Sequence, residues 1–231
     1  MKRILPSALL LALAFSSAAA TNPDLGLGTI ASDYVYANSF EQIAPLSDYD
    51  DLTEGFLGAS FLYRGVSYHD VNDIGGVFPD GSTFTPDDVG RDFIIEDATD
   101  LFVDFPTFGS SPNVLTFGTS LVPGPNVTIG ALVQASMDLA QPASAASLEA
   151  AFYENGPWGG IVLHLDAFLD GVQVATDSLT LSNLGGRDNV ATHTFSISGV
   201  TFDALRFHAT WNDQPTAPRV LIDNLRLTPA P

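Results

Sequence analysis

The 231-residue sequence contains no cysteine, and this absence excludes several kinds of chemistry. Without thiols the chain has no disulfides, no thiolate metal site and no cysteine nucleophile. Its stability must therefore come from a hydrophobic core, and a chain of this length can bury a large one.

Basic residues are also scarce, with eight Lys and Arg against 27 Asp and Glu, which gives a net charge of −19. Binding to nucleic acid or to anionic lipid requires basic patches, so both are excluded as partners. The acidity has three interpretations, namely solubility in an exported and salt-rich setting, cation binding, or attraction to a basic partner.

The N-terminus has the three parts of a secretory signal peptide. Lys2 and Arg3 are followed by an apolar run over residues 4–15 and by small residues at 16–20. The apolar run is too short to span a bilayer, which takes roughly 20 residues, and no later stretch is long enough. We therefore expect residues 1–20 to be removed and the mature protein to be secreted to the cell exterior or the periplasm. Removal takes away the only lysine and leaves six Arg and 27 acidic residues, a net charge of −21.

Past residue 20 the pattern is strand, turn, strand. Residues 127–139 alternate between apolar and small or polar side chains, which is typical of a strand with one buried face. Residues 161–168 and 172–181 flank Asp170-Gly171, a strong signal for a β-hairpin. The pattern predicts an all-β fold, a jelly-roll-type antiparallel β-sandwich of about ten strands with little helix. We expect one domain over residues 21–231, with long loops in the Asp- and Gly-rich region 46–92.

No catalytic motif stands out. The nearest approach to the G-x-S-x-G elbow of serine hydrolases, residues 118–122, lacks the second glycine. Residues 70–75 begin like a calcium loop, but its twelfth position is Gly81 rather than Glu. His164 and His208 fall on the polar side of their strands and are predicted to be surface residues. The sequence therefore predicts a non-catalytic protein, although a pair of close carboxylates, as in glycoside hydrolases, stays open.

The last strand carries the most specific signal. Asp223 is spaced in line with three leucines, Leu221, Leu225 and Leu227, so it is expected to point inward. A buried carboxylate is costly unless it is paired or binds a metal. With so few basic residues available, calcium is a natural partner, because it prefers oxygen ligands.

The two ends of the mature chain, Asn38-Ser39-Phe40-Glu41 and Ile222-Asp223-Asn224-Leu225, resemble the frame of carbohydrate-binding-type jelly rolls. That resemblance implies that the first and last strands lie together and hold a structural calcium ion, with Glu41 and Asp223 as ligands.

Residues 35–228 are also similar to secreted bacterial proteins of the PEP-CTERM-sorted type. The shared segments are Phe40-Glu41, Tyr63-Arg64-Gly65-Val66-Ser67-Tyr68, Ser111-Pro112-Asn113, Asp170-Gly171 and Ile222-Asp223-Asn224-Leu225. The Pro-Glu-Pro sorting tail of that family is missing here, so we expect release rather than surface anchoring.

Two tryptophans are candidates for ligand contact, because aromatic rings at loop tips stack on sugar rings. Trp158 lies in the Gly-rich segment 155–160, and Trp211 ends a strand. The alternative for Trp211 is a core position, since it continues the apolar phase of Leu205, Phe207 and Ala209.

These features predict a secreted binding module for extracellular polysaccharide with a structural calcium ion. Two alternatives stay open, a structural envelope or biofilm-matrix protein with no small ligand, and a glycan-acting hydrolase or lyase.

Overall fold

The computed structural model describes residues 46–97, 109–110, 112–118, 131–154, 159–181 and 186–231. All of them lie in one compact unit, Gln42–Pro231. The predicted signal peptide (residues 1–20), Glu41 and Trp158 lie outside the described residues.

The described residues form fourteen strands and one short helix. In chain order they are β1 (Leu46–Ser47), β2 (Gly55–Gly58), β3 (Phe61–Tyr63), β4 (Val66–His69), β5 (Gly76–Val77), β6 (Thr83–Phe84), α1 (Pro86–Val89), β7 (Asp92–Asp97), β8 (Asn113–Gly118), β9 (Gln134–Glu154), β10 (Val162–Leu169), β11 (Val172–Thr180), β12 (Gly186–Trp211), β13 (Gln214–Pro215) and β14 (Arg219–Pro229).

Every strand pairing is antiparallel, and the main sheet runs in the order β11-β10-β12-β9-β14-β8-β7-β2. The two long strands β9 and β12 take part in both layers of a sandwich. The start of β9 pairs with β4 and with the end of β12, whereas its second half pairs with β14 and with the first half of β12. Register shifts between Ser198 and Ala204 mark the bend in β12. The predicted all-β antiparallel sandwich is therefore confirmed.

One large core fills the space between the layers. Phe207 and Leu165 enter it from one layer, and Phe195, Phe117 and Ile222 enter it from the other. Each of these side chains is at most 1% exposed. Complete burial of an aromatic or aliphatic side chain stabilises a fold by about 1.5–3 kcal/mol, so a core of this size holds the two layers together without disulfides.

The DG hairpin is confirmed as β10 and β11. Asp170 and Gly171 have φ angles of 50° and 76°, the left-handed values that a two-residue type I′ turn requires. In the described part of residues 127–139, Ala135 and Met137 face the core as the alternation predicts.

Residues 46–92, expected to hold long loops, contain six short strands and α1 joined by turns. For this reason the described residues form fourteen strands rather than about ten. No helix in the described ranges is long and apolar enough to cross a membrane.

Candidate functional site

A bulge in β14 decides where Asp223 points. Asp223 pairs with Glu149 and Arg226 pairs with Ser147, so β14 has one more residue than β9 over this interval. Asn224 supplies the bend with a φ of 48°. Beyond the bulge, Leu225 and Leu227 join the main core together with Ile222, while Asp223 lies on the opposite face. The expectation that Asp223 shares one phase with Leu225 and Leu227 is therefore wrong, because a bulge reverses the alternation.

Asp223 is nevertheless fully buried, and it binds protein groups. Its Oδ2 accepts hydrogen bonds from the backbone N–H of Ser110 at 2.7 Å and from the Ser110 hydroxyl at 3.1 Å. Its Oδ1 accepts the N–H of Asn224 at 2.7 Å. A Cβ atom on Gly109 would lie 1.9 Å from Asp223 Oδ2, so only glycine allows the chain to approach this closely.

Asn113 fixes the neighbouring loop, residues 48–52. Its Nδ2 donates to the carbonyl of Leu52 at 2.8 Å, and its backbone N–H donates to Asp50 Oδ1 at 2.9 Å. Two of the segments that carried the family resemblance thus meet at this loop. The second is Tyr63-Arg64, because the Tyr63 hydroxyl donates to Asp51 and the Arg64 guanidinium donates to the same carboxylate at 3.2 Å.

Burial raises the pKa of Asp223 to about 7, and the charge of Asp50 adds to the rise, against the lowering effect of the hydrogen bonds from Asn224 and Ser110. Calcium prefers oxygen ligands, and the Asp223 carboxylate supplies that type of ligand. Within the described ranges, however, no three His, Asp or Glu side chains are grouped closely enough to hold a metal ion.

A second group of polar side chains lies on the outer surface of the other layer. We call it the polar face, and it comprises Gln134, Ser136, His164, Asp166, Thr176, Ser178, Arg206, His208 and Thr210. These residues share one face because they lie directly opposite each other on β9, β12, β10 and β11. The alternate residues of β10, such as Leu163 and Leu165, face the core.

Asp166 is the centre of the polar face and is only 4% exposed. Its Oδ2 lies 2.9 Å from His208 Nε2 and accepts from Arg206 Nη2 at 3.1 Å. Its Oδ1 accepts from Gln173 Nε2 at 3.2 Å, and Thr176 adds a further hydrogen bond. Burial alone would raise the pKa of Asp166, but the hydrogen bonds from His208, Thr176 and Arg206 outweigh it and hold the value at about 2.

The two histidines of this face form a stacked pair. Their ring centroids are 4.7 Å apart and the ring planes differ by 15°. The Nε2 atom of His208 contacts Asp166, and the Nε2 atom of His164 contacts Thr210 at 2.9 Å. Burial, followed by repulsion from His208, lowers the pKa of His164. The lowered pKa favours the uncharged form of His164.

Trp211 is half-buried and packs against the main core, at the end of the apolar row that contains Leu205, Phe207 and Ala209. Trp211 therefore lies on the core-facing side of β12, as the alternation along this strand predicts. The other predicted ligand residue, Trp158, and the predicted calcium ligand Glu41 lie outside the described residues. Both predicted pairs therefore stay predictions, because one member of each lies outside the described residues.

Sequence reasoning missed Asp166, and it assigned Asn113 no role. Asp166 lies on the polar phase of a predicted strand, where a surface charge is expected, and only the cross-strand register reveals its four donors. A partial signal was present, because Asp166 and Arg206 carry opposite charges and each occupies a polar position in the alternation of its strand, although their pairing across β10 and β12 could not be read from the sequence.

The sequence matches no known family model and no curated protein. Among solved structures, the chain is similar to the K2 cleaved adhesin domain of Lys-gingipain, with 14% identity, a TM-score of 0.41 and coverage of 80% of this chain and 97% of that chain. It is also similar to a structure described as "CBM4 structure and function", with 11% identity, a TM-score of 0.28 and coverage of 60% and 87%. Neither likeness is close enough to support a conclusion about function.

Proposed function

We propose that this protein is a secreted, non-catalytic binding module for extracellular polysaccharide and that the polar face is its ligand surface. The observation that carries the proposal is the carboxylate of Asp166, which holds Arg206, His208 and Gln173 in fixed positions on one sheet surface. Polar groups fixed in advance lose little entropy when a ligand binds, and saccharides are recognised by such groups together with apolar ring surfaces.

Apolar surface is available beside these groups. The Arg206 guanidinium lies 5.0 Å from the ring centroid of Phe168, which is itself half-buried. Because Asp166 stays ionised at neutral pH, it accepts hydrogen bonds there and cannot supply a proton to a leaving group. This favours binding at the polar face over acid catalysis by Asp166.

A glycan array probed with the mature chain, residues 21–231, tests the proposal. We expect retention of at least one polysaccharide class, and five- to tenfold weaker binding for Gln173→Ala and for His164→Ala, since a lost hydrogen bond is worth about 1 kcal/mol. Thr194→Ala is the matched control, because Thr194 is exposed on the other layer. Absence of glycan binding, or equal binding by all three variants, would contradict the proposal.

The proposal includes a structural calcium ion held by Asp223 and Glu41. Asp223 Oδ1 accepts only one hydrogen bond from the described residues, so it keeps one lone pair that can bind a calcium ion. An ion bound only to the native state stabilises it, so melting temperatures in excess calcium and in chelator should differ by several degrees. Asp223→Asn should abolish that difference. Identical wild-type melts under both conditions would rule out the ion.

A structural role in a matrix is the second candidate, favoured by exposed apolar side chains on edge strands. Val172 of β11 is 65% exposed and Leu62 of β3 is 74% exposed, and strand edges of this kind pair readily with other chains. Concentration-dependent association that is lost in Val172→Glu, without any glycan binding, would favour this role over the first.

A further inference from the structure

Glu96 of β7 is a buried carboxylate with an unsatisfied oxygen. The residue is 3% exposed, and its Oε2 has no hydrogen-bond partner. No Arg or His among the described residues forms an ion pair with it. An isolated buried carboxylate without a partner costs several kcal/mol, so such a group is normally protonated or compensated by a bound cation.

A second unsatisfied oxygen lies beside it. Thr116 of β8 is fully buried, and its Oγ1 also has no partner. Ile94 pairs with Thr116 and Glu96 pairs with Val114, so Glu96 and Thr116 are diagonal neighbours on the same face of adjacent strands. Diagonal neighbours of this kind are within reach of long side chains. The two unpartnered oxygens therefore belong to diagonal neighbours on one face of this layer.

A second carboxylate completes the group. Gly55 pairs with Ile95, so Glu54, which immediately precedes β2, comes alongside Glu96. Burial, followed by the charge of Glu54, raises the pKa of Glu96 to about 8. Glu54 is exposed, so the group has a route to solvent.

We propose that Glu96, Glu54 and Thr116 bind a calcium ion at this point on the sheet. The ligands are all oxygens, and the two carboxylates carry a combined charge of −2 once calcium displaces the proton from Glu96, which matches a divalent cation. Water at the exposed Glu54 side completes the coordination shell of six to eight oxygens. Magnesium requires a stricter octahedral geometry and releases its waters reluctantly, so it should bind more weakly. This site is separate from Asp223 and does not depend on glycan binding.

Calcium titration calorimetry on the chelator-stripped mature chain tests the site. Glu96→Gln should remove one binding event, and Thr116→Val, which changes little in shape, should weaken that event about tenfold or more. Asp92→Asn is the matched control, because Asp92 lies on the same strand and face, and it should bind like the wild type. Asp223→Asn identifies any event that belongs to the Asp223 ion, so the two proposals fail independently.

Loss of one event in Glu96→Gln, with the event weakened in Thr116→Val and kept in Asp223→Asn, supports the site. If Glu96→Gln does not fold, as judged by circular dichroism, the affinity of Thr116→Val alone decides. Wild-type protein that binds no calcium, or a Thr116→Val variant with wild-type stoichiometry and affinity, would overturn the proposal and leave Glu96 as a protonated buried acid.

Discussion

Asp166 shows how a single buried charge orders its neighbours. It accepts hydrogen bonds from side chains on both adjacent strands, Gln173 on β11 and Arg206 and His208 on β12. Removing one of these donors leaves the buried carboxylate with an unsatisfied oxygen, which costs more than the bond itself. We therefore expect substitution of Asp166 to displace Gln173, Arg206 and His208 together.

The pH dependence of stability follows from the same carboxylate. Its pKa falls from 3.8 to about 2 on folding, so its stabilising contribution is fully present above pH 3.8 and is lost as the pH falls through 2. The shift corresponds to about 2 kcal/mol in the free energy of unfolding. We expect Asp166→Asn to be less stable by about that amount at pH 6, with the difference shrinking toward pH 2. Urea unfolding across this pH range measures it, and a constant difference would contradict the assignment.

Asn72 lies in the segment whose sequence begins like a calcium loop, but it has a structural role. It is fully buried, and its Nδ2 donates to the carbonyls of Gly90 and Ala131 at 3.0 and 2.7 Å. Its Oδ1 accepts the N–H of Val133 at 2.7 Å. All of these contacts join residues 18 or more positions apart, which is why spacing within the segment gave no indication of them.

At the scale of elements, the sequence predicted the features that depend on residues close together in the chain, namely a turn and the buried face of a strand. The Asp170-Gly171 turn was predictable because two residues with positive φ select one hairpin geometry. The alternation of Leu205 and Phe207 likewise fixed the buried face of the end of β12. Both features depend on residues close together in the chain.

Features that depend on pairing across the sheet were not predictable. The bulge at Asn224 adds one residue to β14, and this reverses the face of Asp223 relative to Leu225. The polar side chains around Asp166 come from three strands whose register no single segment contains. The all-β fold class could therefore be predicted from the sequence, whereas the arrangement of the candidate site could be seen only once the register between the strands was known.

The bulge can be tested by substitutions at Asn224. Its φ of 48° suits glycine and strains a β-branched side chain, so Asn224→Val should lower the free energy of unfolding by about 2–4 kcal/mol. Asn224→Gly should cost less, since it loses only the hydrogen bond from Asn224 Nδ2 to Glu149 Oε2 at 3.1 Å. Chemical denaturation measures both, and an Asn224→Val variant as stable as Asn224→Gly would show that the bulge tolerates another register.

At the scale of the whole molecule, the large negative charge affects the stability of the fold. The sequence carries 27 acidic residues against eight Lys and Arg, with a net charge of −19. Repulsion among like charges opposes the compact state, and added salt screens it. Asp166, Asp223 and Glu96 are each less than 5% exposed. The repulsion at the surface therefore comes from the other acidic residues.

We therefore expect the melting temperature at pH 7 to rise by several degrees when sodium chloride is increased from about 10 mM to about 500 mM, where the screening length falls from about 30 Å to a few Å. Chelator is kept present throughout, so that calcium does not contribute. The same titration near pH 4.1, the isoelectric point, provides the control, because the net charge there is close to zero. An equal rise at both pH values would attribute the effect to stronger burial of apolar surface, since that term does not depend on net charge.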